Sequence, residues 1–121
     1  MGEELKVTVT DKRGRLTVAA MTGELDITSA AEAYVSVTAL LGDRPDLIVD
    51  LSGVTFCDST GFNTLLRLRR RVMEADGWLA LAAPPPRIGR LLTLAGIDVA
   101  FVLHSSTAEA VSDYEGTGSR R

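Results

Sequence analysis

The chain has 121 residues, which suits one domain built on a single modest core. Its hydrophobic content of 45% and charged content of 24% are ordinary for a globular protein, and one cysteine excludes an internal disulfide and a CxxC or Cys/His metal site. The net charge of −3 weighs against direct nucleic-acid binding, which calls for a basic excess. Leu5, Val7 and Val9 alternate with Lys6 and Thr8, the period of a half-buried strand. Asp11-Lys12-Arg13-Gly14 reads as a turn, and Arg15 to Met21 as the second strand of a hairpin. Gly23 and the polar residues around it end that strand.

Thr28 or Ser29 is placed to cap a helix, with Glu32 three residues past Ser29 as in a capping box. Ile27, Ala30, Tyr34, Val37 and Leu41 follow at three- and four-residue steps, with Gly42 and Pro45 to close the helix. The near-continuous apolar run Leu47-Ile48-Val49-Asp50-Leu51 suits a central strand covered on its faces. Ser52-Gly53 reads as a break before a brief apolar stretch, Val54 to Cys57. A helix is predicted from about Thr60 to Ala75, with Phe62, Leu65, Leu66, Val72 and Met73 marking its apolar side. Trp78 to Ala82 is a strand, and Pro84-Pro85-Pro86 opens a helix from about Arg87 to Ala95 that Gly96 caps. Val99 to Leu103 is a last strand, followed by a short helix through Tyr114 that Ser105, Ser106 or Thr107 caps. The order predicts an α/β fold: a mixed sheet opened by an N-terminal hairpin, with about four helices. Residues 1–114 are expected to form the domain and 115–121 a disordered C-terminal tail. The start is acidic and every apolar stretch is broken well before the ~20 residues of a membrane span, so a cytoplasmic protein with no membrane contact is expected.

The segment with chemical interest is Asp58-Ser59-Thr60-Gly61, where a strand run meets a helix. Strand-to-helix ends host most ligand contacts in open α/β sheets, and the unpaired N–H groups of a helix start tolerate an anion. Asp, Ser and Thr are also the favoured helix caps, worth about 1 kcal/mol, so one of these residues can cap while another meets a partner. No catalytic inventory accompanies Ser59. His104 is the only histidine, Cys57 stands where a nucleophile elbow has its first glycine, and no P-loop is present.

Gly23-Glu24-Leu25-Asp26, the run Leu47 to Phe62 and the order of elements resemble the STAS domain family, and within it the bacterial anti-sigma factor antagonists. The resemblance covers roughly residues 3 to 114. It implies a STAS-type mixed sheet and a regulatory protein with no catalytic activity and no cofactor. It implies that the unmodified form binds an anti-sigma factor that is itself a serine kinase, which frees the sigma factor. Phosphorylation of Ser59 by that kinase switches binding off, and a PP2C-type phosphatase restores it. Thr60 is the lesser candidate for the phosphate. The implied partner-binding residues are Asp26, Asp58, Ser59, Thr60 and Gly61. The alternative is a STAS subunit of a transport or lipid-trafficking assembly that needs no phosphoryl cycle. Asn63 departs from the family, which often has a second glycine there.

The remaining polar residues carry plainer readings. Asp26 is a partner contact or a helix-start charge. Asp50 is structural, and Cys57 is a small hydrophobe. Arg67, Arg69, Arg70 and Arg71 are a solvated basic run with partner contact as the second reading. His104 stands alone.

Overall fold

The computed structural model describes residues 4–43, 45–96 and 101–116. The alternating start forms β1 (Lys6–Arg13), which pairs antiparallel with β2 (Leu16–Leu25). The turn between them is at Gly14, whose φ of +59° is one that L side chains rarely adopt. Asp11 to Arg13, read as a turn, are strand residues instead. Asp11 accepts the Lys12 N–H and the Arg13 Nε–H through its carboxylate, so this polar stretch stays extended at the sheet edge after a register shift between Val9 and Asp11.

After β2 come α1 (Ala30–Thr38), β3 (Asp46–Cys57), α2 (Ser59–Glu74), β4 (Trp78–Ala82), α3 (Pro86–Leu94), β5 (Val102–His104) and α4 (Thr107–Gly116). The strands lie in the order β1-β2-β3-β4-β5, and every pair after the hairpin is parallel. Among the described residues this is the predicted mixed α/β sheet with four helices.

Two strand boundaries differ from the pattern. Gly23 does not end β2, which continues to Leu25, and Ser52-Gly53 does not break β3, which runs unbroken to Cys57. Both glycines sit at register shifts where β2 and β3 stay paired, Thr22 with Gly53 and Gly23 with Val54. Asp50 accepts the Ser52 N–H at 2.9 Å, and a Cβ on Gly53 would come within 2.6 Å of the Thr22 side chain. The irregularity is therefore absorbed as a bulge, where the sequence shows only a turn-like dipeptide. The predicted last strand overlaps β5 at Val102 and Leu103, and residues 99 and 100 lie outside the described residues. The final helix reaches Gly116, two residues into the segment read as tail.

Alternation along the strands divides the core. Leu47, Val49 and Leu51 of β3 face one side with Ala33 and Val37 of α1, Leu65, Leu68 and Val72 of α2, and Ile88 and Leu92 of α3. Ile48 faces the other side, with Leu16 and Val18, under Ala110 and Tyr114 of α4. Helices α1, α2 and α3, which follow β2, β3 and β4 in the chain, thus share one face of the sheet. On α2 the buried line is Leu65, Leu68 and Val72, whereas Leu66 and Met73 of the predicted apolar side are 40% and 50% exposed.

Candidate functional site

Strands β2 and β3 end side by side, Leu25 opposite Cys57, and the chain enters α2 through Asp58. Asp58 has extended backbone (φ −101°, ψ −174°) and is the N-cap of the helix. Its two carboxylate oxygens go in different directions. Oδ1 accepts the Gly61 N–H at 2.9 Å, and Oδ2 accepts the Ile27 N–H at 3.0 Å, so one side chain ties the start of α2 to the loop after β2. Gly61 lies against that loop: a Cβ there would collide with the Leu25 carbonyl oxygen and sit 2.9 Å from Cys57 Sγ. The glycine of the Asp-Ser-Thr-Gly segment is thus required by close approach of backbone to backbone. Cys57 is buried beneath it, and burial, reinforced by the adjacent Asp58 charge, pushes its thiol up to about 12, which leaves it an inert core group.

With Asp58 as the cap, Ser59 is left over. It is the first residue of α2, its side chain is exposed, and its hydroxyl makes no hydrogen bond among the described residues. Thr60 is only half-exposed. The two roles the sequence left open fall on different residues: Asp58 builds the helix start, and Ser59 presents a hydroxyl beside that carboxylate.

Asp26 organises the other half of the site. Its Oδ1 accepts from the Thr28 N–H at 3.0 Å, the Thr28 hydroxyl at 2.8 Å and the Ser29 N–H at 3.2 Å. The predicted capping box does not form. The Ser29 hydroxyl donates to the Glu24 carbonyl at 2.8 Å and accepts the Asp26 N–H at 3.0 Å, so it closes the loop instead of pairing with Glu32. Ile27 lies in this loop outside the helix and is 73% exposed, not on the buried face its spacing implied. The Thr28 hydroxyl bond, joined by the loop N–H groups, holds the Asp26 carboxyl below its ordinary value. A carboxylate depressed in this way stabilises the loop above its unfolded pKa of ~3.9 and loses that contribution as the pH falls through the lower folded value. In an NMR titration the Asp26 carboxyl should titrate below an ordinary aspartate, with the Thr28 and Ser29 amides shifting in step. A midpoint at or above the ordinary value would contradict this bonding.

The STAS domain family profile matches residues 8–110. The chain belongs to the STAS domain family. The STAS domain is 28% identical over 115 residues to the anti-sigma-F factor antagonist RsfB of Mycobacterium tuberculosis, covering 94% of this chain and 93% of that one. It is similar to the crystal structure of an anti-sigma factor antagonist from Mycobacterium paratuberculosis, with a TM-score of 0.80 and 25% identity over 91% of this chain and 93% of that one. Its fold is also that of the anti-sigma factor antagonist SpoIIAA in its unphosphorylated form, with a TM-score of 0.72 and 17% identity over 93% and 96% of the two chains. SpoIIAA is known in a phosphorylated form as well.

The STAS domain thus gathers Asp26, Asp58, Ser59, Thr60 and Gly61 at one end of the sheet, through the Asp58 bridge to Ile27. Two hollows lie apart from Ser59. One of 380 Å³ beside Asp26 is lined by Glu4, Glu24 and Glu32 as well and does not include Ser59, and one of 530 Å³ lies between β1 and α4. Among the described residues no group of three potential metal ligands occurs, and no helix is long and apolar enough to cross a membrane. His104, read as solitary, pairs with Asp113 of α4 through Nε2 at 3.1 Å. The most buried carboxylate among the described residues, Asp46, escaped the sequence reading. It sits at the opposite end of β3, where Oδ1 accepts the Trp78 N–H and Oδ2 the Tyr114 hydroxyl.

Proposed function

We propose that this STAS domain is an anti-sigma factor antagonist that works by partner exchange. The unmodified form binds an anti-sigma factor of the serine-kinase type in the cytoplasm and so releases a sigma factor. The kinase transfers phosphate to Ser59 and ends the binding, and a PP2C-type phosphatase removes it. The observation that carries this reading is the division of labour at the start of α2. Asp58 satisfies the helix N-terminus and anchors Ile27, so the exposed Ser59 hydroxyl has no structural duty among the described residues. The similarity to RsfB and to the Mycobacterium paratuberculosis antagonist supports the anti-sigma assignment.

The chemistry fits a switch of this kind. Phosphorylation adds about −1.5 to −2 charges and three acceptor oxygens. At Ser59 that charge lies beside the Asp58 carboxylate and is carried on an exposed surface, so it costs the free domain little and burdens any surface packed over it. The test is to incubate the protein with ATP and purified candidate anti-sigma kinases and to map the product by mass spectrometry. Stoichiometric phosphate on Ser59, absent in Ser59→Ala, is the expected result. Modification confined to Thr60, or none with any candidate, counts against the reading.

A further inference from the structure

We infer that the outer face of α2 is a docking surface for an acidic, amphipathic helical segment of a partner protein. This rests on the partner-exchange reading for its biological meaning, but the surface stands on its own observations. Opposite the buried line Leu65, Leu68 and Val72, one exposed face of α2 carries Ser59, Asn63, Leu66, Arg70 and Met73 at alternating steps of four and three, with exposed Arg67, Arg71 and Glu74 outside that series. The series lies along a helix ~24 Å long. Leu66 and Met73 leave 40% and 50% of their surface to solvent, in a position where the sequence had every opportunity for charge. Arg67, Arg69, Arg70 and Arg71 lie on and beside this face, and the helix has one acidic residue, Glu74.

The arginines decide the partner's chemistry. Among the described residues none of the four pairs with a carboxylate, Glu74 included; the ion pairs involve Arg13, Arg15 and His104. Arg67 lies over the Tyr34 ring of α1, 4.1 Å from its centroid, which holds its guanidinium in place without neutralising it. A chain of net charge −3 thus concentrates unneutralised positive charge on one helix, interleaved with exposed aliphatic side chains. Acidic groups complement the arginines, and an apolar stripe complements Leu66 and Met73. A polyanion such as nucleic acid matches the first feature only.

The same arrangement gives the switch its sign. Ser59 is the first residue of this face. A phosphate there would place negative charge at the end of a surface that attracts an acidic segment, so modification weakens docking. Against a basic segment it would strengthen it.

Synthetic helical peptides of equal length provide the probe, titrated into the isotopically labelled full chain and followed by NMR. One carries leucine along one face flanked by glutamate, a second has lysine for glutamate, and a third has serine for leucine. A DNA duplex is the fourth ligand. The Leu/Glu peptide is expected to bind best, to shift the amides of Asn63, Leu66, Arg67 and Arg70, and to weaken with added salt. Arg70→Glu and Leu66→Ser, both on the exposed side, are each expected to lower its affinity about tenfold, or ~1.4 kcal/mol. Equal or tighter binding of the lysine peptide, equal binding of the serine peptide, tighter binding of the duplex, absence of binding, or shifts confined to other elements would each overturn the inference. No kinase or ATP is present, so failure here leaves phosphorylation of Ser59 standing, and failure to phosphorylate Ser59 leaves this result intact.

Discussion

Replacing Asp46 with alanine is expected to destabilise the domain by about 3–5 kcal/mol, the usual cost of breaking a buried, hydrogen-bonded charge. Asp46 is 1% exposed and opens β3. Oδ1 accepts the Trp78 N–H at the start of β4 at 2.9 Å, and Oδ2 accepts the Tyr114 hydroxyl of α4 at 2.7 Å. The Arg15 guanidinium lies 3.6 Å from Oδ2, and the Arg15 carbonyl accepts the Asp46 N–H. One side chain therefore joins β3 to β4, to α4 and to the chain entering β2. Alanine removes the acceptor of the buried Tyr114 hydroxyl and of the part-buried Trp78 N–H, and a buried orphan costs about 1–3 kcal/mol. The Tyr114 ring, whose centroid lies 5.1 Å from that of Trp78, would lose the hydrogen bond that anchors its hydroxyl. Asp46→Asn keeps an acceptor and the volume, so it should cost less. Urea unfolding of both variants is the check, and a loss under ~1 kcal/mol for the alanine variant would contradict this network.

Tyr114 adds a pH dependence of definite sign. Burial, with the Asp46 hydrogen bond and charge, raises its phenol above the ordinary value. A group raised on folding contributes stability that is fully present below its unfolded pKa of ~10 and is lost as the pH rises through the folded value. The wild-type domain should therefore lose stability in alkali above ~pH 10 more steeply than Tyr114→Phe.

The second large effect is functional. Phosphate on Ser59 is expected to weaken the anti-sigma complex by a hundredfold or more, equivalent to about 2.7 kcal/mol. The modification sits where Asp58 already supplies one negative charge, and that carboxylate is committed to Gly61 and Ile27. Ile27, 73% exposed, is held through its backbone by the same carboxylate. Because Asp58 keeps its two bonds without help from Ser59, the expected change is an electrostatic block at the surface and not a refolding of the sheet.

Much of the fold was readable because its signals are local. The run Leu47 to Leu51 suited a central covered strand, and Asp58 to Gly61 marked a helix start. What the pattern missed depends on residues far apart in the chain. Asp46 lies between Pro45 and the apolar run, and its partners Trp78 and Tyr114 lie 32 and 68 positions away. Leu68 is flanked by Arg67 and Arg69, which hide a fully buried residue in a basic run. Ile27 fell on the helical period by chance, because the loop that Asp26 and Ser29 close comes before the helix begins. At the site, the residues were legible but their division was not. Three hydroxyl and carboxylate groups in a row all suit a cap, and only the direction of the Asp58 oxygens separates the support from the exposed serine.

The most direct test of the switch is a comparison of affinities. An anti-sigma factor kinase identified by its modification of Ser59 in the assay above should be titrated, by calorimetry without ATP, with the unmodified protein and with protein carrying phosphate on Ser59 alone, each checked for an unchanged fold by circular dichroism. Tight binding of the first and a loss of at least about a hundredfold for the second is the predicted result. Equal affinity of the two forms for the same partner would contradict the assignment of Ser59 as the switch.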